Sequence, residues 1–293
     1  MRQGSEQNKN RGRGGKTLIR ADLHIHTYYS DGLMSPAEVV AEAKANSVGL
    51  ISVTDHDCML ACKETESLCA GAGLRSVNGI EVSAYENGVK IHILGYGADA
   101  DNSDFKQFLD ELYLSSFARA EDIIAKLRRN GIEISLDEIL KYRKHDRAPV
   151  HTMHISRACA EKGYCGNAFA FYEKYLASGR CAFSDIGRPS PSRAVEAVAA
   201  GGGVCSLAHP GRIAMSKSRL LELIGKLKDR GLYGIEAVYT THTVTETAYY
   251  KETAAAFGLE ITGGSDTHFA DGRHKIGSPA FYLDEAVAKR LNN

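Results

Sequence analysis

Two pairs of potential metal ligands stand near opposite ends of this chain, His24-Ile25-His26 and Asp266-Thr267-His268. In a β-strand, residues i and i+2 leave the same face, so each pair would project its side chains together. Each pair follows an apolar or glycine-rich run, and between them lie Thr54-Asp55-His56-Asp57, His92 and His209-Pro210. One such pair is weak evidence. Two pairs so far apart in sequence, written the same way, indicate one shared site. Imidazole with carboxylate suits Zn²⁺, Mn²⁺ or Fe²⁺ without any thiolate.

With 293 residues, the chain suffices for one large domain or two ordinary ones. The formal net charge is zero, which argues against an extended nucleic-acid surface and leaves room for a small or short anionic substrate. No run approaches the ~18 apolar residues of a membrane span. Residues 1–16 are polar, basic and glycine-rich, without the apolar centre of a secretory signal, and read as a disordered tail. The seven cysteines contain no C-x-x-C pair and read as reduced thiols of a cytoplasmic protein.

From residue 17 the pattern alternates strand and helix. Thr17–Ile25 reads as a strand, and Ser35-Pro36 opens a helix with Ser35 as N-cap and Glu38 at the third position. Strands over 48–53, 74–80 and 89–94 would deliver His56, Glu81 and His92 near their C-terminal ends, where α/β barrels place their chemistry. From 102 to 185 the periodicity is helical. Phe105, Phe108, Leu112, Phe117, Ile123, Ile124 and Leu127 form an apolar stripe, read as helix packing and not as a base-stacking platform. Strand–helix alternation returns after Pro189. The reading is therefore a barrel over 17–101 and 186–293 with a helical insertion over 102–185 capping its mouth. Gly201-Gly202-Gly203 lacks phosphate-loop spacing and reads as a helix C-cap.

Asp22-Leu23-His24-Ile25-His26-Thr27, Thr54-Asp55-His56-Asp57, Gly79-Ile80-Glu81-Val82, Ala208-His209-Pro210 and Gly264-Ser265-Asp266-Thr267-His268 resemble the motifs of the PHP (polymerase and histidinol phosphatase) family, over about residues 20–270. The insertion, with Met153-His154-Ile155-Ser156-Arg157, His209-Pro210-Gly211-Arg212 and Gly234-Ile235-Glu236, is similar to one branch of it. That branch includes a nucleoside 3′,5′-bisphosphate phosphatase and a small 5′-end-trimming exoribonuclease. The resemblance implies an α/β fold, a distorted (β/α)₇ barrel. It also implies three divalent ions, Mn²⁺ first, with Zn²⁺ or Fe²⁺ as alternatives. His24, His26, Glu81 and Asp266 would hold the first ion. Glu81, His92 and His154 would hold the second, and Asp31, His56 and His268 the third. Several family members have histidine where this chain has Asp31, and a carboxylate there favours the harder ions.

Six positive charges against Glu81, Asp31 and Asp266 leave a surplus suited to a phosphate dianion and a bridging hydroxide that attacks phosphorus. Arg157 and Arg212 are candidates to clamp phosphate oxygens, and His209 and His242 to touch substrate or protonate the leaving oxygen. Thr27 and Ser83 would support the ligands through hydrogen bonds. Asp22, in period two with His24 and His26, would point inward behind them. Asp55 and Asp57 would orient His56 or cap the next helix. His145, His151 and His274 read as surface or packing residues.

The expected activity is hydrolysis of the 3′-phosphate of a nucleoside 3′,5′-bisphosphate. Competing expectations are a 5′-to-3′ exonuclease on short oligonucleotides and a histidinol-phosphate or other sugar-phosphate phosphatase. From other classes come a metal-binding regulatory module without turnover and a cyclic-amide hydrolase.

Overall fold

Strands form where the apolar runs predict them, and their order brings the two ends of the chain together. The computed structural model describes residues 9–11, 17–269 and 274–291. Strands β1 (Lys9–Arg11), β2 (Thr17–Ile25), β3 (Leu50–Val53), β4 (Arg75–Glu86), β5 (Val89–Tyr96), β6 (Val204–Leu207), β7 (Leu232–Tyr239) and β8 (Glu260–Gly264) neighbour one another in sequence order. A ninth, β9 (Phe281–Asp284), pairs antiparallel with β2. Just beyond β8 the chain returns to β2. The Asp266 amide donates to the His24 carbonyl at 2.8 Å, and the His26 amide to the Thr267 carbonyl at 3.0 Å. Strands β2 to β8 therefore make a seven-stranded, nearly closed barrel, as the distorted (β/α)₇ expectation has it.

The distortion is at β5, which runs antiparallel to both β4 and β6, whereas the other neighbours from β2 to β8 are parallel. The expected end of β4 near Glu81 is corrected. The strand continues to Glu86 and turns back through Asn87-Gly88, both at positive φ (53° and 77°), the conformation a tight hairpin favours. His92 thus sits inside β5, opposite Ser83, and not at a C-terminal strand end. The alternation explains the register: Val82, Ala84, Ile91 and Ile93 are fully buried, and Val82, Ile91 and Ile93 pack in the core under the outer helices. That leaves Glu81, Ser83 and His92 on the opposite, inner face.

Helices α1 (Pro36–Ala45) and α2 (Cys62–Ala72) follow β2 and β3. The Ser35–Glu38 capping box starts α1 as predicted. Helix α3 (Ser103–Arg129) begins a run that continues through α4 (Leu136–Leu140), α5 (Thr152–Glu161), α6 (Ala168–Phe171) and a π-helical turn at Tyr172–Leu176. Then α7 (Pro191–Ala200), α8 (Lys217–Lys228) and α9 (Val244–Phe257) alternate with the later strands, and α10 (Glu285–Arg290) closes the chain. The N-terminal half of α3 buries Phe105, Phe108 and Leu112 in the core shared with α7, α8 and α9. Its C-terminal half buries Ala120, Ile123, Ile124 and Leu127 in a second core with Ile139, Ile155, Cys159 and Phe171. Burial of each such large side chain stabilises by about 1.5–3 kcal/mol. The expected tail over 1–16 lies outside the described residues except at Lys9–Arg11, which pair with β2.

Candidate metal centre

Three carboxylates and seven imidazoles converge at the barrel mouth. His24 Nε2, His26 Nε2, Glu81 Oε2 and Asp266 Oδ1 face one another with five of their six separations between 3.1 and 3.3 Å. A tetrahedral ion with bonds of roughly 2.0–2.1 Å needs donors about 3.3 Å apart, so this set fits a divalent cation. Two further groups share its members: His26, Asp31, His56 and His268, and His56, Glu81 and His92. Glu81 links the whole. Its Oε2 also lies 3.1 Å from His56 Nδ1, while Oε1 lies 2.6 Å from His92 Nδ1 and 3.0 Å from His209 Nε2.

Electrostatics agree with a cation-accepting basin. Burial opposes ionisation of Glu81, but His92, His56 and His24 overcome it and hold its carboxyl well below the usual range. Asp31 and Asp266 are likewise held low by neighbouring histidines against their burial. Burial drives His56 and His92 well below the ordinary imidazole value, leaving both neutral, the ligating form. His26 is also buried, yet hydrogen bonds to Asp266 and Glu81 push it up to about 10.

Buried polar groups hold the ligands in place. Glu236, fully buried, accepts from His24 Nδ1 at 2.9 Å and from the His209 amide at 2.7 Å, which turns His24 Nε2 toward the cluster. Asp55 fixes the turn carrying Asp31, accepting from the Thr27 amide and hydroxyl and from Ser30 Oγ at 2.8, 2.6 and 2.6 Å. Asp22 accepts from the amides of Ser265 and Gly277, tying β2 to the segment after β8. Ser83 Oγ lies 3.4 Å from His56 Nδ1. Asp57 neither caps a helix nor faces the cavity. It pairs with Arg188 at 2.9 Å and accepts from the Ser83 amide. The phenol of Tyr239, pushed up by burial and Asp266, donates to Asp266 Oδ2 at 2.7 Å and accepts from Arg212 at 2.9 Å.

The expected site residues separate into two groups. His24, His26, Asp31, His56, Glu81, His92, His209, Asp266 and His268 come together, with Arg212 beside Asp266 at the cavity wall. Three do not join them. His154 Nε2 donates to the Ser30 carbonyl at 2.7 Å and its Nδ1 accepts from the His151 amide, so both ring nitrogens are engaged away from the cluster. His151, expected to be a packing residue, faces the site instead, with Nδ1 3.3 Å from Asp31 Oδ2. Arg157 reaches the Asp31 carbonyl at 2.5 Å and stands behind the wall of the cavity. His242 donates to the Ala237 carbonyl and accepts from the Gly211 amide, bracing the turn that carries His209 and Arg212. Of the residues that sequence reasoning gave no role, Glu236 had a signal, a lone carboxylate in the middle of an apolar strand. Tyr239 and Arg188 had none.

Above the cluster lies a cavity of about 390 Å³. It is lined by barrel residues and by His151, Met153, Phe169, Tyr172 and Glu173 of the helical run. Lys90 and Arg212 also line it. Phe169, 65% exposed, and Phe269 stand at its rim. No described helix is long and apolar enough to cross a membrane.

The comparisons with known proteins agree with this geometry. The PHP domain family matches residues 22–110. A 3′,5′-nucleoside bisphosphate phosphatase from Chromobacterium violaceum is 29% identical over 251 residues, 86% of this chain and 88% of its own. A 5′-3′ exoribonuclease from Haemophilus influenzae is 29% identical over 91% of this chain and 96% of its own. Among solved structures, a Chromobacterium violaceum protein described as an amidohydrolase with bound sulfate superposes with a TM-score of 0.80 at 28% identity, covering 90% of this chain and 91% of its own. With a motif set, a barrel and a cation-accepting cluster that all coincide, the protein is a metal-dependent phosphoesterase, similar over residues 22–110 to the PHP domain family.

Proposed function

We propose that the protein removes the 3′-phosphate from nucleoside 3′,5′-bisphosphates, with three divalent ions, Mn²⁺ foremost, as cofactors, in the cytoplasm. The observation that carries this reading is the cavity over the Glu81 cluster. Its volume of about 390 Å³ suits a ligand of mononucleotide size, and the groups beneath it bring together eight potential metal ligands. His24, His26, Glu81 and Asp266 would hold one ion, Glu81 and His92 would contribute to a second, and Asp31, His56 and His268 would hold a third. When bound, such ions polarise phosphoryl oxygens and lower the pKa of water. Arg212, steered by Tyr239, would orient a phosphoryl oxygen from the rim. His209, held by Glu236 through its amide, would meet the leaving oxygen, with Glu81 fixing its ring. The bisphosphate phosphatase relative supports the choice of substrate.

The test is incubation of the Mn²⁺-loaded protein with adenosine 3′,5′-bisphosphate, with products separated by chromatography. Release of phosphate with adenosine 5′-phosphate is expected, and adenosine 3′-phosphate as product would reverse the binding orientation. The exposed rim at Phe169 and Phe269 favours one second reading, end-trimming of short oligonucleotides whose bases stack outside the cavity. That reading gains if the bisphosphate is untouched and a 5′-phosphorylated oligonucleotide is shortened.

A further inference from the structure

Lys90 lies on β5 two residues before His92, so both side chains leave the same face of the strand. The extension of β4 and β5 beyond Glu81 carries it over the cluster, where it is half-buried and lines the cavity with Asp31, His56 and His151. Lys63, Lys126, Lys162 and Lys226 each pair with a carboxylate. Lys90 makes no ion pair or hydrogen bond with any described residue. Its side chain instead shares the cavity wall with His92 and His151.

An ammonium facing a basin built to accept cations is repelled by whatever fills it. An anion lying between them removes that repulsion and supplies the missing partner. The other non-histidine cation of the wall, Arg212, already has partners in Tyr239 and, at 3.7 Å, Asp266. Arg157, the sequence candidate for a phosphate clamp, is engaged behind Asp31.

We infer that Lys90 binds a second, non-reacting phosphate of the substrate, and so selects ligands with two phosphates one ribose apart. This inference rests on the nucleotide reading of the same site. The phosphate is the 5′-phosphate of a nucleotide or the phosphodiester of a short oligonucleotide, and both present the same oxyanion to the lysine. No bond is made or broken at Lys90, which acts as a specificity-determining residue.

The test compares wild type, Lys90→Met and Lys90→Arg, all loaded with Mn²⁺, on adenosine 3′,5′-bisphosphate and adenosine 3′-phosphate. Lys90→Met is expected to raise KM for the bisphosphate about 10- to 100-fold, the worth of one charged hydrogen bond, with kcat within about threefold. On adenosine 3′-phosphate KM should move less than about threefold, and Lys90→Arg should recover most of the loss. Equal effects on both substrates, or none on either, would overturn the inference. A trinucleotide with and without a 5′-phosphate, cut at its first phosphodiester, separates the two sources. Loss confined to the phosphorylated form assigns the 5′-phosphate, and loss on both assigns the phosphodiester. If wild type turns over neither mononucleotide, the proposed function falls, and calorimetric affinities measured without hydrolysis still read Lys90. A wild-type preference for the bisphosphate that Lys90→Met abolishes upholds the subsite, and equal affinities overturn it.

Discussion

The imidazole of His151 lies flat against that of His56, with ring centroids 4.8 Å apart and planes within 5°. His151 is the N-cap of α5, and its Nδ1 accepts from the Met153 amide. The helical run thereby contributes a ring to the wall of the barrel's site, while His154, three residues on, turns inward.

The two histidines should separate in mutagenesis. His151→Ala is expected to lower kcat/KM at least about tenfold while leaving stability within about 1 kcal/mol. His154→Ala loses two hydrogen bonds and a buried ring and should destabilise by about 2–4 kcal/mol. Urea unfolding and steady-state kinetics on both variants decide the matter, and the reverse pattern would return His154 to the site.

Glu236→Gln tests the buttress behind His24. An amide cannot accept from both His24 Nδ1–H and the His209 amide while its NH₂ faces one of them. Metal affinity should fall about 10- to 100-fold, as for other carboxylates behind a ligating histidine. Metal titration against a competing chelator reads this directly, and an unchanged affinity would make Glu236 a bystander.

Metal uptake should be coupled to pH. Free of metal, His26 keeps a proton up to about 10, above its ordinary 6.5. That proton stabilises the metal-free fold fully below about 6.5, and the contribution fades as pH rises through about 10. A cation must displace it, so apparent affinity should climb about tenfold per pH unit between pH 7 and 9 for one proton released. His24, driven the same way by Glu236, Glu81 and Asp266 against its burial, steepens the slope. Calorimetry in buffers of different ionisation enthalpy counts the protons, and a flat response would refute the coupling.

Arg188→Met removes the partner of buried Asp57. Leaving that carboxylate unpaired should cost about 3–5 kcal/mol of stability, and adding Asp57→Asn should restore part of it. Chemical denaturation of the single and double variants measures both. A single variant as stable as wild type would show that the pair holds nothing.

Much of the site was legible because strand periodicity is local: two-residue spacing states which side chains share a face before any fold is known. The His24/His26 and Asp266/His268 pairs and the Ser35–Glu38 cap needed nothing more. The β4–β5 hairpin was marked by Asn87-Gly88 between apolar runs, yet strand direction depends on pairing across the sheet. The choice between His151 and His154 depended on one residue of helix start, since an N-cap has extended backbone and aims its side chain differently from a residue one turn in. The fate of Arg157 rested on the distant Asp31 carbonyl and that of His242 on the distant Gly211 amide, which no spacing rule reports.

Helix α3 passes unbroken from the barrel core into the second core, a rod of 27 residues or about 40 Å. A rod anchored in both masses ties the helices that line the cavity to the barrel core through one continuous backbone, so a movement that swung them as a unit would have to bend α3.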